Sequence, residues 1–258
     1  MISLEKLSLN IMCDRLMSFI GGNDLKKMIN HFTRLNQFTF HIRSTIHCDL
    51  AFEWPSNEQI QDTFINLKQY HISSSVDYFL KKGIGQCHIY SNPYTMNSYH
   101  NIANHFPGGL FKSVRKISLY DEHPFEYQFF IKIAQAFPLI KELSLENRKA
   151  QKDKNYRESK DNSEDLPLIK YLHLTKLNLI EAHQDYLNLF LDHTITSLPN
   201  CISLGINYTS LTRVTHHFTN DRLRINCGNV IRLRIYSKCQ ISEDLKRYFP
   251  CVRQIGCL

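Results

Sequence analysis

The stretch Phe137-Pro138-Leu139-Ile140-Lys141-Glu142-Leu143-Ser144-Leu145 (137–145) sets three large apolar residues, Ile140, Leu143 and Leu145, in the spacing L-x-x-L-x-L behind an apolar residue and a proline. Proline ends a helix and biases the residue before it toward extended backbone. Leu143 and Leu145 are two apart, so in a strand both side chains leave the same face. The stretch therefore reads as a short strand entered through a proline-marked turn. The same grammar returns at Leu198-Pro199, ahead of Cys201, Leu204 and Ile206, and at Phe249-Pro250, ahead of Val252, Ile255 and Cys257. Each time the central apolar residue stands five positions after the proline.

Working outward, the triplet recurs along the chain. It stands at Leu4, Leu7 and Leu9; at Leu35, Phe38 and Phe40; at Leu67, Tyr70 and Ile72; and at Val114, Ile117 and Leu119. Further copies are Leu174, Leu177 and Leu179, and Val230, Leu233 and Ile235. If the strand-like Gln86–Tyr90 fills the one long interval, the period is about 28 residues, within reach of leucine-rich repeats. Leu166-Pro167 would instead place a strand at Leu172 and Leu174, so the register near Leu177 stays open. Between triplets the signals are helical. Pro124 opens a segment with Phe125, Phe129, Ile133 and Phe137 at four-residue spacing, and Ser242-Glu243-Asp244 starts another that ends at Phe249-Pro250. Asp14 to Phe32 is also expected to be helical, broken by Gly21 and Gly22.

Strand, helix and parallel strand at a short period predict an α/β chain. The expected architecture is an irregular leucine-rich-repeat solenoid with a curved parallel sheet of eight to ten strands and helices on the convex side. Residues 1–258 form a single domain in this reading, with a charged, solvated insertion loop at about 147–165.

These segments resemble the divergent leucine-rich-repeat region of a large family of F-box proteins. The residues that carry the likeness are Phe125 to Leu145, Cys201 to Val230, Arg232-Leu233-Arg234-Ile235 and Tyr248-Phe249-Pro250. The resemblance implies a substrate-recognition role in a cullin-type ubiquitin ligase, the repeats selecting the protein to be modified. A Skp-type adaptor is implied only where an F-box accompanies them, and no Leu-Pro-x-Glu opening precedes the first repeat. The asparagine that follows the triplet in regular repeats is replaced here by Met12, Arg43, Arg148 and Thr209, so an uneven curve is expected.

Composition bounds the alternatives. Sixteen Phe and thirteen Tyr in 258 residues supply a sizeable core, which argues against disorder throughout. The eight cysteines contain no C-x-x-C pair, so neither a zinc ribbon nor a thioredoxin-type site is indicated, and reduced, buried thiols are expected. No signal peptide opens the sequence and no apolar run is long enough to span a bilayer. An intracellular protein, cytoplasmic or nuclear, is the expectation. The sequon Asn207-Tyr208-Thr209 then carries no glycan.

No motif demands catalysis. Gly83-Ile84-Gly85 lacks the third glycine of a dinucleotide loop, and Pro107-Gly108-Gly109 lacks the Lys-Ser/Thr of a phosphate loop. His216-His217 and the pair His100 and His105 have no carboxylate or thiol at a zinc-like spacing, and Cys239, Cys251 and Cys257 match no zinc pattern. Cys87 and His88 are neighbours on a strand, where their side chains point oppositely. Neither an enzyme, a metal nor a cofactor is expected.

The residues between triplet positions remain. They form a polar row with Tyr and Arg, types enriched where proteins bind one another. Candidate partner-binding residues are His41, His71, Lys116, Tyr120, Glu142, Arg232, Arg234 and Tyr236. In Val230–Tyr236 a period of two sends Arg232, Arg234 and Tyr236 to one face, where two guanidiniums suit the carboxylates of an acidic protein partner. Internal pairing of those arginines with Glu142 and Glu146 is the competing reading. The net charge of +7 also keeps a second class open. It is a basic solenoid binding nucleic acid through Lys112, Arg115, Lys116, Arg222, Arg224, Arg232 and Arg234.

Overall fold

The computed structural model describes residues 4–15, 18–32, 34–47, 53–153, 167–237 and 241–257. The chain divides into two compact units, Met1–Asn97 with His105–Pro107, and Ser98–Asn104 with Gly108–Leu258.

In the first unit β1 (Lys6–Arg15) and β2 (Gln37–His47) run parallel in unbroken register, from Lys6 opposite Gln37 to Arg15 opposite Ile46. Helix α1 (Gly22–Ile29) connects them. Helix α2 (Asn57–Asp62) and a 3-10 turn at Ile65–Tyr70 lead to β3 (Ile72–Phe79) and β4 (Ile84–Ser91), which pair antiparallel. The strand order is β1-β2-β4-β3. One face buries Phe38, Phe40, Ile42, Ile46, Cys87 and Ile89 against Phe19 and Leu25. Helix α1 begins at glycine for a steric reason, since a Cβ on Gly22 would lie 1.8 Å from the Thr63 carbonyl oxygen. Gly21 and Gly22 thus start a helix, and Asp14 and Arg15 belong to β1. The expected helix from Asp14 to Phe32 is corrected accordingly.

The second face of this sheet is polar yet buried. A hydrogen bond of 2.9 Å joins Tyr94 Oη to His41 Nδ1, and another of 2.9 Å joins His41 Nε2 to His88 Nδ1. The outer edge of β3 is closed by a side chain of α2. Gln61 Nε2 donates to the Ile72 carbonyl at 2.9 Å, while the Ser74 N–H donates to Gln61 Oε1 at 3.0 Å. The amide thereby occupies the place of a neighbouring strand.

The second unit holds β5 (Ser98–Ile102), β6 (Lys116–Tyr120), β7 (Glu142–Asn147), β9 (Lys176–Ala182), β11 (Ile202–Asn207), β12 (Val230–Tyr236) and β13 (Gln254–Cys257) in one seven-stranded sheet. Every pair is parallel, and neighbours follow one another along the chain. The short strands β8 (Ile169–Lys170) and β10 (Thr196–Ser197) pair apart from it. Helices α3 (Tyr127–Ala136), α4 (Gln184–Leu191), α5 (Tyr208–Val214), α6 (Arg224–Gly228) and α7 (Glu243–Tyr248) return the chain between strands. Alternation decides which face they cover. Ile117, Leu119, Leu143, Leu145, Leu177, Leu179, Leu204, Ile206, Leu233 and Ile235 are all buried, together with Phe130, Ile133, Tyr186, Phe190, Leu211 and Leu245 of the helices. Asn226 pins the chain behind α4, donating from Nδ2 to the carbonyls of Phe190 and Thr196 at 3.1 and 2.7 Å.

A seven-stranded parallel sheet and a separate four-stranded mixed sheet, with the small β8–β10 pair, replace the single solenoid expected from the sequence. The α/β class holds, and the strands of Leu143, Leu204 and Leu233 lie parallel in one sheet. The first third departs from the repeat. Leu67 and Tyr70 lie in the 3-10 turn rather than a strand, and four residues, Leu80–Gly83, join β3 to β4. So short a link connects only antiparallel neighbours, because a parallel crossover needs a dozen residues or more. Gly83 sits at φ 61° to make that turn. The register left open near Leu177 resolves in favour of Leu177, opposite Leu143 and Leu204. Of the expected insertion at about 147–165, Asn147 ends β7, and Gln151 is buried with its Nε2 donating to the Phe125 carbonyl at 3.0 Å. The rest of it, from residue 154, lies outside the described residues.

Candidate functional site

The face of the seven-stranded sheet opposite the helices carries the residues between the buried ones. Register aligns them in rows across the strands. Lys116, Glu142, Lys176, Ser203, Arg232 and Gln254 form one row, and Ser118, Ser144, Asn178, Gly205, Arg234 and Gly256 the next. All but Gly205 are at least partly exposed. Parallel sheets are ordinarily covered on both faces, so an open polar face on one is unusual.

Its electrostatics are set pair by pair. Glu142 lies between two lysines, with Oε1 at 3.0 Å from Lys116 Nζ and Oε2 at 3.5 Å from Lys176 Nζ. The hydrogen bond from Lys116 is the chief reason its carboxyl is held below the usual range. Arg232 and Arg234 are exposed, and neither makes an ion pair among the described residues. Tyr236 is 40 % exposed beside them. Ser203 and Gly205 of β11 place only small residues between β9 and β12, which lie roughly 10 Å apart by the spacing of two strand gaps. Gly205 has no room to spare, since a Cβ there would stand 3.0 Å from Asn178 Oδ1 and 3.2 Å from Ile180 Cδ1. Lys176 stands beside Ser203 on one side and Arg232 on the other, with Arg234 next to Gly205. The opposite ends of the strands are acidic, with Glu146 exposed and Glu181 held by Arg148 through Nε at 3.0 Å. There a cavity of ≈ 490 Å³ opens among Arg148, Ile180, His183, Asn207, Ser210 and Arg213.

Lys116, Tyr120, Glu142, Arg232, Arg234 and Tyr236 therefore share one sheet face, in two groups separated by β9 and β11. His41 and His71 do not join them and belong to the first unit. His41 is 3 % exposed, enclosed by His88 and Tyr94. His71 stands at φ 45° at the end of the 3-10 turn, where its carbonyl accepts from the Asn92 N–H at 3.0 Å. Sequence reasoning passed over Lys176 and Gly205. Lys176 precedes Leu177 as Lys116 precedes Ile117, and the open register at Leu177 hid that signal.

Comparison with known proteins finds no family model, no curated protein and no solved structure that matches this chain.

The other motifs have structural places. His216 and His217, with Phe218, form a left-handed turn at φ 48°, 56° and 69° after α5. No three metal-ligating side chains gather among the described residues, and no helix among them is long and apolar enough to cross a membrane. Burial pushes the Cys87 and Cys227 thiols up. The expectation of reduced, buried cysteines holds for Cys87 and Cys227 and is corrected elsewhere, because Cys201 and Cys251 are exposed and Cys257 is disulfide-bonded. The basic residues weighed for nucleic acid fall on different sides of the second unit. Arg222 pairs with Asp192 at 3.4 Å, and Arg224 pairs with Asp221 at 2.7 Å while lying over the Tyr248 ring, all in the helical layer behind Arg232 and Arg234.

Proposed function

We propose that the chain is a protein-interaction module whose open sheet face takes an acidic segment of a partner protein. The observation that carries the reading is the pair of exposed arginines on β12 beside the small residues Ser203 and Gly205 of β11, with Lys176 on the far side of Ser203. Unpaired guanidiniums two residues apart on a strand stand about 7 Å from each other, which suits two neighbouring acidic side chains. Each can hold a carboxylate through two parallel hydrogen bonds, and Tyr236 adds rigid contact area. The likeness of Phe125 to Leu145 and Cys201 to Val230 to the substrate-selecting region of F-box proteins supports the same reading. On that basis the partner is a ligase substrate, and the chain itself performs no chemistry.

The test compares wild type with Arg232→Ala/Arg234→Ala. Binding of a fluorescent Glu-rich peptide is expected to weaken about tenfold or more, equivalent to at least 1.4 kcal/mol. The thermal midpoint should stay nearly unchanged, because exposed substitutions away from packing stay within about 0.5 kcal/mol. Affinity purification with both proteins then identifies the natural partner. Equal peptide binding by the variant overturns the proposal. So does tighter binding to duplex DNA than to the peptide with a steep salt slope, the signature of phosphate contacts.

A further inference from the structure

An open sheet ends in edge strands whose outward N–H and C=O groups are templates for further pairing, and folded proteins blunt them. Three of the four edges of the two larger sheets carry such a device. β13 has only four residues. β5 has five, its register shifts between Tyr99 and Ile102, and Asn101 stands at φ 54°. β3 is closed by the Gln61 amide. The fourth edge, β1, has no such device among the described residues. It runs ten residues with no register shift, no proline and no glycine. Its charges stand only at the ends, and between them Leu7 to Cys13 is uncharged. Ile11 and Met12 are 37 % and 64 % exposed.

We propose that β1 pairs antiparallel with β1 of a second copy, about a two-fold axis through Asn10, joining two copies of the first unit's sheet into one. Self-pairing across a two-fold axis is the commonest way soluble chains dimerise. The sequence of the strand selects this register. With Asn10 opposite itself, Lys6 faces Asp14, Ser8 faces Met12, Leu7 faces Cys13 and Leu9 faces Ile11. Both faces then match at once, the apolar residues lying together on the side of Phe40 and Ile42 and the opposite charges meeting on the other. Glu5 faces Arg15 as well, although Arg15 already bonds Asp24 at 3.5 Å. Facing residues of an antiparallel pair point to the same side, so the axis can move only by whole residues. Through Ile11 it sets Leu7 against Arg15 and Ser8 against Asp14, and through Leu9 it sets Lys6 against Met12 and Leu4 against Asp14. Both shifts lose the two Lys6–Asp14 pairs and set a charge against an apolar side chain. The inference is independent of how the seven-stranded face is used.

Light scattering and sedimentation of the full chain over a range of concentrations give the oligomeric state. A monomer–dimer equilibrium is expected. Lys6→Glu and Asp14→Lys should each weaken it about tenfold, since two facing pairs turn repulsive in each dimer. The double variant Lys6→Glu/Asp14→Lys should restore it. Asn10→Cys places two thiols at Cα separations of about 4.5–5.5 Å, within disulfide reach, so oxidation should cross-link it well above the wild-type background. Three results would each overturn the proposal: a monomeric wild type at every concentration, a double variant no better than the singles, or no additional cross-linking of the cysteine variant.

Discussion

Glu142 shows how a single side chain reports on the open face. Its carboxylate is shared by Lys116 and Lys176, and its side chain is 33 % exposed. Because its pKa is depressed in the folded state, it contributes stability above the unfolded value of about 4.3. That contribution is lost as pH falls through the folded value. Partial exposure and salt screening keep it below about 1 kcal/mol. Urea unfolding of wild type and Glu142→Gln should therefore differ slightly at pH 7 and converge in strong acid. A gap that persists at acid pH would assign it to packing instead of charge. At this scale the sequence was informative where alternation alone decides direction, as for Arg232 and Arg234. It was not for His41, because the chain that encloses it comes from Tyr94, 53 residues away. No local pattern announces that contact. His71 was misplaced for a different reason: a left-handed residue ends its turn before any strand begins.

Among elements, the plug on β3 invites a direct experiment. Gln61 satisfies the Ile72 carbonyl and the Ser74 N–H, and its Oε1 also accepts from the Ser74 hydroxyl at 2.8 Å. Gln61→Ala should cost about 1–3 kcal/mol, because partly buried backbone groups lose their partners. Chemical denaturation checks the size, and an unchanged midpoint would show that water replaces the amide without penalty. Elements marked by proline were legible. Phe137-Pro138, Leu198-Pro199 and Phe249-Pro250 each precede a strand of the seven-stranded sheet, and Ser242 caps α7 by accepting from the Leu245 N–H at 3.2 Å. Where that punctuation is missing the outcome is mixed, since the triplets centred on Leu7, Phe38, Ile117 and Leu233 lie in strands all the same. Leu67, Tyr70 and Ile72 have the triplet spacing but span a turn and a strand start. β5 lacks the apolar triplet and was not foreseen, while β4 was foreseen as a strand and not as the partner of an antiparallel hairpin.

For the molecule as a whole, periodicity over the last two-thirds of the chain foretold the parallel sheet, and its extension to the first third did not hold. A triplet of apolar residues fits any strand with one buried face. It carries no record of whether the neighbouring strand is parallel, and the connection length decides that instead. In the second unit the connections are long enough for helices, and strand order equals chain order. Interior strands are therefore paired on both sides, whereas β5 and β13 are paired on one. Hydrogen exchange should be slowest at Leu143, Leu177 and Leu204 and fastest at Ile255, since opening free energy falls toward a frayed edge. A uniform rate across the sheet would instead mark a single all-or-none opening. The same ordering bears on how the sheet is made. Each pairing closes a loop whose entropic cost grows only with the logarithm of its length, so none must wait for a distant segment. During synthesis, β6 and β7 can join before β12 exists, and each later strand finds a finished edge already waiting. The arginine-bearing strand is thus laid down after β5, β6, β7, β9 and β11, and the open face of the sheet is complete only once β13 has followed it.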